Sequence, residues 1–377
     1  MKLLVDRKGT VETFKELIAG LEKDPDVGTI IILACDDNEF AAEKIDHILQ
    51  NIKKPVLGAI FPMILFEKES LQKGTIIAGI KDSMDVHVIK EVSADDKDLD
   101  KEVSQLYTDN SLIDKTMFVF VDGFSKNISL LNETMFNYWG LQPNYVGGGA
   151  GSLSFIQKPC IMTNQGLLSD AVVFGLGDIK SGIGVAHGWK TISDQLKVTD
   201  ADRNVIKSIN YRPAVAVYKE IVEELSGRSF SREGFFEVSK GYPIGIMRMA
   251  EEVIVRDPIA VDGDTLICIG EVPLNSTITI LNGDTSSLLM GAETAKKLAG
   301  ESYFESCGEN NHQQTTTFFI DCISRVLFLG DAFNREVEIV KQEFPLFGAL
   351  TIGEIANTGN HFLEFYNKTS VVCLLED

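Results

Sequence analysis

Residues 144–178 read NYVGGGAGSLSFIQKPCIMTNQGLLSDAVVFGLGD, and the reading of this stretch decides the fold class. Gly147, Gly148 and Gly149 follow one another directly after Tyr145-Val146. Consecutive glycines cost backbone entropy and are kept where φ is positive or where another group must come close to the main chain. Beyond them, the apolar runs Pro159–Thr163 and Leu168–Leu176 flank Asn164-Gln165-Gly166. That spacing predicts a β-hairpin, with the glycines as the floor of a small-molecule pocket in front of it.

The same pattern recurs on both sides of this stretch. Upstream, Thr29–Ala34 predicts a buried strand and Ala41–Ile52 a helix, followed by Pro55-x-x-Gly58, an apolar run to Phe66, a turn at Gln72-Lys73-Gly74 and a strand at Thr75–Ile80. The central round runs from the strand Thr116–Val121 through the helix Ile128–Tyr138 to Pro143-x-x-x-Gly147. Downstream, Thr317–Leu329 predicts a strand entering a helix around Asp331–Phe344, then Pro345-x-x-Gly348, Ala349–Ile355 and a final strand pair, Phe362–Tyr366 and Ser370–Leu375. Unequal intervals between rounds argue for a duplicated supersecondary unit rather than a solenoid. Short strands at Ile244–Met249, Ile254–Val255, Leu266–Ile269 and Thr277–Ile280 lie between the second and third rounds, and Ser226-Gly227-Arg228-Ser229 reads as a junction. The expected class is α+β: two domains with antiparallel and mixed sheets covered by helices, built from strand–helix–hairpin units.

Composition narrows the function. The chain has 377 residues, enough for two domains, and a formal net charge of −20 from 55 acidic and 35 basic residues. That balance repels polyphosphate, and no Lys/Arg cluster offsets it locally, which argues against nucleic acid as a partner. No apolar run approaches the roughly 20 residues that span a bilayer, and the N-terminal residues lack a secretion-signal core, so a cytoplasmic location is expected. Six cysteines carry no Cys-x-x-Cys spacing and no His at finger spacing, so neither a metal site nor a disulfide framework is signalled. No cofactor motif is present either: Ser152 stands where a Gly-x-Gly-x-x-Gly fingerprint needs its third glycine, and no Walker loop, His-Glu-x-x-His or Gly-x-Ser-x-Gly occurs.

Three constellations carry candidate chemistry. The backbone N–H groups of Gly147–Gly149, with Asn144 and Ser152, are of the type that cradles a carboxylate or carbonyl; tight strand packing is the alternative. His187 and Trp189 in Ala-His-Gly-Trp pair a polar tip with a stacking face between glycines. In Asp321-Cys-Ile-Ser-Arg325, an Arg inside an apolar strand demands an acidic partner or ligand, with Asp321 and Glu336 as the structural alternatives. Proximity to Arg325 would lower the Cys322 pKa.

GGGAGSLSF…NQGLLSDAVVFGL, GIGVAHGWK and VTDADRNVIKSINYRPAVAVYKEIV resemble the FIST N domain, and FFIDCISRVLFLG…PLFGALTIGEIA…FYNKTSVVCLL resembles the FIST C domain, from about Pro25 to the end. The resemblance implies an intracellular sensory module for small ligands such as amino acids. Family members feed two-component, chemotaxis or cyclic-nucleotide signalling, and eukaryotic relatives are tied to ubiquitin ligation. It carries over Cys322 and Arg325 as pocket residues, and divides the chain into 1–211 and 212–377. Little chain is left over for an output domain, so a signalling partner such as a histidine kinase or chemoreceptor component is expected. The expectation is a stand-alone sensor for a carboxylate-bearing metabolite, needing no cofactor. Its ligand would lie between the domains, against Gly147, Gly148, Gly149, Ser152, His187, Trp189, Cys322 and Arg325. A hydrolase- or transferase-type enzyme using Cys322 or His187 is the rival, and a ligand-free scaffold the third reading.

Overall fold

Each of the three rounds starts on an apolar run that becomes a fully buried central strand. The computed structural model describes residues 1–108, 112–227, 234–248, 252–308, 315–341, 343–357 and 362–376. Arg228 and Ser229 of the expected junction, and Met249 at the end of an expected strand, lie outside the described residues. The first round comprises β1 (Lys2–Asp6), α1 (Val11–Glu22), β2 (Thr29–Cys35), α2 (Ala42–Leu49), β3 (Val56–Phe61), the hairpin β4 (Met63–Phe66) and β5 (Glu69–Leu71), and β6 (Thr75–Ile80). The second comprises β7 (Asp85–Lys90), α3 (Leu99–Ser104), β8 (Thr116–Asp122), α4 (Ile128–Trp139), β9 (Asn144–Ala150), the hairpin β10 (Ile161–Thr163) and β11 (Gly166–Leu168), and β12 (Ala171–Gly177). In both, two parallel strands joined by a helical crossover form the centre, and the strand after the hairpin returns antiparallel beside the first.

Between the second and third rounds the chain builds a different body. After β13 (Ser181–Ala186) come β14 (Lys190–Thr191), β15 (Leu196–Asp202), β16 (Val205–Ile209), β17 (Arg212–Pro213), α5 (Ala214–Ser226), α6 (Phe235–Ser239), β18 (Ile244–Met247), β19 (Val253–Asp262), β20 (Thr265–Ile269), β21 (Thr277–Asn282) and α7 (Thr285–Cys307). Strands β15, β16, β20, β19, β18 and β21 pair in that order, and β21 also pairs with β15, closing an antiparallel barrel. Helix α5 presents Ala214, Val217, Tyr218 and Val222 to a core shared with Ile206, Leu266 and Ile278. The third round follows as β22 (Thr315–Cys322), α8 (Ile323–Leu329), α9 (Phe333–Val340), β23 (Leu346–Thr351), the hairpin β24 (Glu354–Ala356) and β25 (Glu364–Tyr366), and β26 (Ser370–Glu376).

The three rounds give three six-stranded sheets with matching order: β1-β6-β2-β3-β10-β11, β7-β12-β8-β9-β24-β25, and β13-β26-β22-β23-β4-β5. Each round therefore lends its hairpin to another round's sheet, in a cycle. The duplicated units and the α+β class of the sequence reading hold, but two local readings change. Leu168–Leu176 is not one arm of the expected hairpin; it breaks at Ser169-Asp170, and β12 joins a different sheet from β10 and β11. The final strands likewise separate, β25 pairing with β24 and β26 with β22.

The recurring glycine explains how the cycle closes. Strands β3, β9 and β23 contact one another at the centre. A Cβ on Gly58, Gly147 or Gly348 would lie 2.3, 1.8 or 1.8 Å from the carbonyl oxygen of Ile32, Val119 or Phe319 on the parallel partner strand. No side chain fits there, so the motif after each proline is a packing requirement. Aromatic rings from different rounds fill the middle: Phe61 lies 5.8 Å from Phe120, and Phe318 lies 5.7 Å from Phe118.

Candidate functional site

The glycine run lies in β9, an inner strand laddered to β8 on one side and β24 on the other. Gly149 donates to the Gly353 carbonyl at 2.8 Å, and Ile352 donates back to the Gly149 carbonyl at 2.8 Å. The N–H groups expected to cradle a ligand are thus on a strand already paired along both edges. Ser152 is buried and donates to Asp36 at 2.6 Å, tying the following loop to the β2–α2 connection.

Arg325 stands on α8, one turn after β22 ends at Cys322, and not in the strand expected. The thirteen apolar-rich residues Thr317–Leu329 switch from strand to helix at Ile323, which brings Asp321 and Arg325 to i,i+4 spacing. The guanidinium is fully buried and consumed by the protein. It meets Glu336 through Nε and Nη2 at 2.8 Å, Asp321 at 3.2 Å, and the carbonyls of His187, Leu288 and Lys368 at 2.7, 2.9 and 3.3 Å. No donor remains for a ligand carboxylate. The expected pocket with the glycine backbone on one wall and Arg325 opposite is replaced by a ladder and a closed ion-pair network.

Around that network the charges do not balance. Arg325 and Lys368 face Asp321, Glu336, Asp257 and Glu354, all buried. Burial, reinforced by Glu336, pushes the Asp321 carboxyl well above its usual range, and burial holds Glu354 up at about 8. Burial thus favours the neutral forms of these two carboxyls. Burial and the nearby Glu354 also push the Cys322 thiol well above its usual range, opposite to the lowering expected beside Arg325. The pKa of His187, held down to about 4 by burial and then by Arg325, leaves it neutral at physiological pH.

A cleft runs between the barrel and the three-sheet body. Its open part encloses about 590 Å3 between the Gly123–Ser129 segment, the β15–β16 turn and Gly270-Glu271. Its closed end is a cavity of about 20 Å3, room for one water, lined by Asp257, Cys322, Ser324 and Asn367 among apolar residues. Phe155, Ile259 and Ile269 line both parts and join them. The wall is shaped by a bulge in β19 at Pro258–Ala260, which turns Ile259 toward the cleft. Above it, the loop after the glycine run exposes Leu153, Phe155 and Ile156, and Phe155 holds a left-handed φ of 55°.

The surface of the closed end is mostly apolar, and the polar side chains set around it are only partly satisfied. Asp257 accepts from Ser324 at 2.6 Å and pairs with Lys368 at 3.2 Å through Oδ2, while its Oδ1 has no partner among the described residues. Both amide atoms of Asn367 are also without a partner among the described residues. Buried polar atoms are nearly always paired, so two residues lining this cavity carry hydrogen-bonding capacity that no described residue uses. Directly behind Gly270 lies Arg256, buried and bonded to the carbonyls of Glu271, Val255 and Phe365 at 2.8, 3.0 and 2.9 Å. It makes no salt bridge among the described residues. Sequence reasoning missed Arg256, Asp257 and Asn367, although an Arg-Asp pair inside the apolar run Val253–Val261 was the available signal.

His187 and Trp189 line a separate concavity of about 870 Å3 along β13 and the outer face of α7. His187 accepts the Trp189 N–H at Nδ1, 2.9 Å away, which leaves the neutral ring's proton on Nε2. Trp189 is nearly buried; its indole donates to the Lys368 carbonyl at 3.1 Å, and the Lys368 ammonium lies 5.4 Å from its ring centre. No hydrogen bond joins His187 to Cys322 among the described residues. No group of three or more His, Cys, Asp or Glu able to hold a metal occurs among them, and no described helix is long and apolar enough to cross a membrane.

Two family models match the chain. The FIST N domain matches residues 29–212 and the FIST C domain residues 214–357. No curated protein matches it.

Proposed function

We propose, for a chain that belongs to the FIST family of signal-transduction sensory domains, that it senses a small amphoteric metabolite such as an amino acid in the cleft between barrel and sheets. The observation that carries this reading is the unpartnered Asp257 Oδ1 beside the unpartnered Asn367 amide at the cleft's closed end. An ammonium group suits Asp257, and the amide can donate to a carboxylate and accept from an ammonium. Arg256 supplies the positive field for the ligand's carboxylate that the sequence had assigned to Arg325. Cys322 keeps its place as a lining residue, Gly147–Gly149 and Ser152 hold the frame, and Phe155 would fold over the bound ligand. The signal passes to a protein partner of the histidine-kinase or chemoreceptor type. We further take 1–211 and 212–377 as units of sequence rather than of folding. Catalysis by Cys322 or His187 is the weaker reading, because a thiol pushed up and an imidazole pushed down, not bonded to each other, lack the pairing that activates a nucleophile.

Titration calorimetry of the whole chain against amino acids tests the proposal. Asn367→Ala removes two unpaired polar atoms, so the ligand-free protein should keep or slightly raise its melting temperature while affinity falls at least tenfold. Undiminished affinity in Asn367→Ala would place the ligand elsewhere. Absence of saturable binding to the wild type would leave the scaffold reading.

A further inference from the structure

Strand β13 is the edge of its sheet: it pairs with β26 on one side and with no strand on the other among the described residues. Its hydrogen-bond phase follows from two contacts. Glu376 donates to the Lys180 carbonyl at 2.9 Å, so Lys180 and Glu376 form a hydrogen-bonded pair. Antiparallel pairs alternate, which turns Gly182, Gly184 and Ala186 toward β26 and sends the N–H and C=O groups of Ser181, Ile183 and Val185 outward. Agreeing with that phase, the Ser181 carbonyl accepts the Asn144 side-chain amide from outside the pair at 2.8 Å. Ile183 and Val185 keep outward main-chain groups that no described residue takes up, and both line the 870 Å3 groove.

The opposite wall of the groove is a helix. A Cβ on Gly184 or Gly182 would lie 1.8 Å from the Ala295 carbonyl oxygen or 2.1 Å from the Tyr303 nitrogen, so α7 lies hard against β13 and runs along it. Met290 and Leu298 stand exposed on its groove face, followed by Glu301 and Glu305. Glu252, which accepts from the Tyr366 hydroxyl at 3.3 Å, adds a further carboxylate on the far rim; Lys190 lines the groove and Lys297 pairs with Glu301 at 3.7 Å, so among these described residues three carboxylates face two cations. An unpaired strand edge beside a helix is the geometry that accepts a polypeptide as an added strand: main-chain bonds give affinity, and alternate side chains reach the helix. The excess of carboxylates selects the sign of the incoming chain.

We propose that this groove docks an extended, basic segment of a partner protein, which adds to the outer edge of β13 with apolar side chains on Met290 and Leu298 and Lys or Arg beside Glu301 and Glu305. The inference stands apart from the ligand reading of the cleft, since it uses none of the cleft's residues.

The probe is a fluorescent eight-residue valine–lysine peptide, Val-Thr-Val-Thr-Lys-Thr-Lys-Thr, whose alternate positions carry valine and then lysine on the one face that meets the helix, followed by anisotropy with the whole chain. Two control peptides accompany it: the same peptide with glutamate in place of lysine, and the valine–lysine peptide N-methylated at alternate amides, which keeps its charge but cannot ladder. Saturable binding of the first, at least tenfold weaker for both controls, is expected. Val185→Pro deletes an outward N–H without touching a β26 bond, and should also weaken binding at least tenfold. Should that variant fail to fold, Glu301→Lys with Glu305→Lys on the exposed helix face should lower affinity and flatten its salt dependence. Equal binding of the N-methylated peptide, or unchanged binding in Val185→Pro, overturns strand addition. A wild-type dimer that Val185→Pro converts to monomer, without peptide binding, would overturn it in favour of a second copy on the edge.

Discussion

Arg325 and Lys368 hold two formal charges where solvent does not reach, and their partners are the residues whose protons the fold controls. Removing one member of such a network leaves uncompensated charge, so Arg325→Met should cost about 3–5 kcal/mol by denaturant unfolding. Arg325→Lys should recover little of it, because a lysine cannot span Glu336 and three carbonyls at once. Glu354 adds a pH dependence whose sign is fixed. Its folded pKa is raised from 4.5 to about 8, so the neutral carboxyl is the form the fold prefers. The contribution is fully present below the unfolded value and is lost as pH rises through about 8. Melting temperature should therefore fall between pH 5 and 9, with Asp321 acting in the same direction, and Glu354→Gln should flatten the fall by an amount on the order of a few kcal/mol. His187 acts on the other flank. Its pKa is depressed from 6.5 to about 4, so its contribution is present above the unfolded value and is lost as pH falls through about 4.

Among the elements, the inner strand of each round is the one that cannot vary. Gly348→Ala would drive a methyl group to 1.8 Å from the Phe319 carbonyl oxygen, and should cost more than about 4 kcal/mol or leave the protein insoluble. Gly20, on the exposed side of α1 with nothing within 4 Å of a Cβ, provides the contrast. Gly20→Ala should stabilise by about 0.5–1 kcal/mol, read from the same melts. That difference is legible in part, since the recurrence of Pro55-x-x-Gly58 and Pro345-x-x-Gly348 marks related units in the sequence itself. Which sheet receives each hairpin was not legible, because turn residues fix the bend of a chain and say nothing of the strand it lands beside. Thr317–Leu329 was misread for a related reason. A continuous apolar run has no period, and only tertiary contact decides that β22 gives way to helix at Ile323. Arg325 was read as needing an acidic partner or a ligand and was assigned to the ligand, whereas Asp321 and Glu336 take it up. Asp257 and Asn367 escaped notice because their significance lies in bonds they do not make, a property that exists only in three dimensions.

At the scale of the molecule, one sheet, β1-β6-β2-β3-β10-β11, lies wholly in one half of the sequence, and the other two sheets and the barrel draw on both. β4, β5 and β13 lie in the sheet of the third round, β24 and β25 lie in that of the second, and the barrel takes β15 and β16 from one side of residue 211 and β18–β21 from the other. Fragments 1–211 and 212–377 expressed apart should thus show no cooperative melting, whereas co-expression should recover a folded complex. The same interlocking gives the cleft and the groove a common part. Lys368 places its ammonium on Asp257 at the cleft's closed end, while its carbonyl receives both the Trp189 indole and the Arg325 guanidinium. Arg325 in turn holds the His187 carbonyl at the end of β13. A ligand ammonium at Asp257 competes with that of Lys368, and any shift of Lys368 bears on the residues that set the groove. Coupling between two binding sites is reciprocal, so an amino acid that changes the affinity of the valine–lysine peptide must have its own affinity changed by the same factor. A factor of about 5 or more, equal within error when measured in both directions, is expected. Trp189→Phe keeps the ring but deletes the indole N–H that meets the Lys368 carbonyl. It should bring the factor toward unity while each ligand alone binds within a few-fold of wild type. An unchanged factor in Trp189→Phe would show that the signal leaves the cleft by another route.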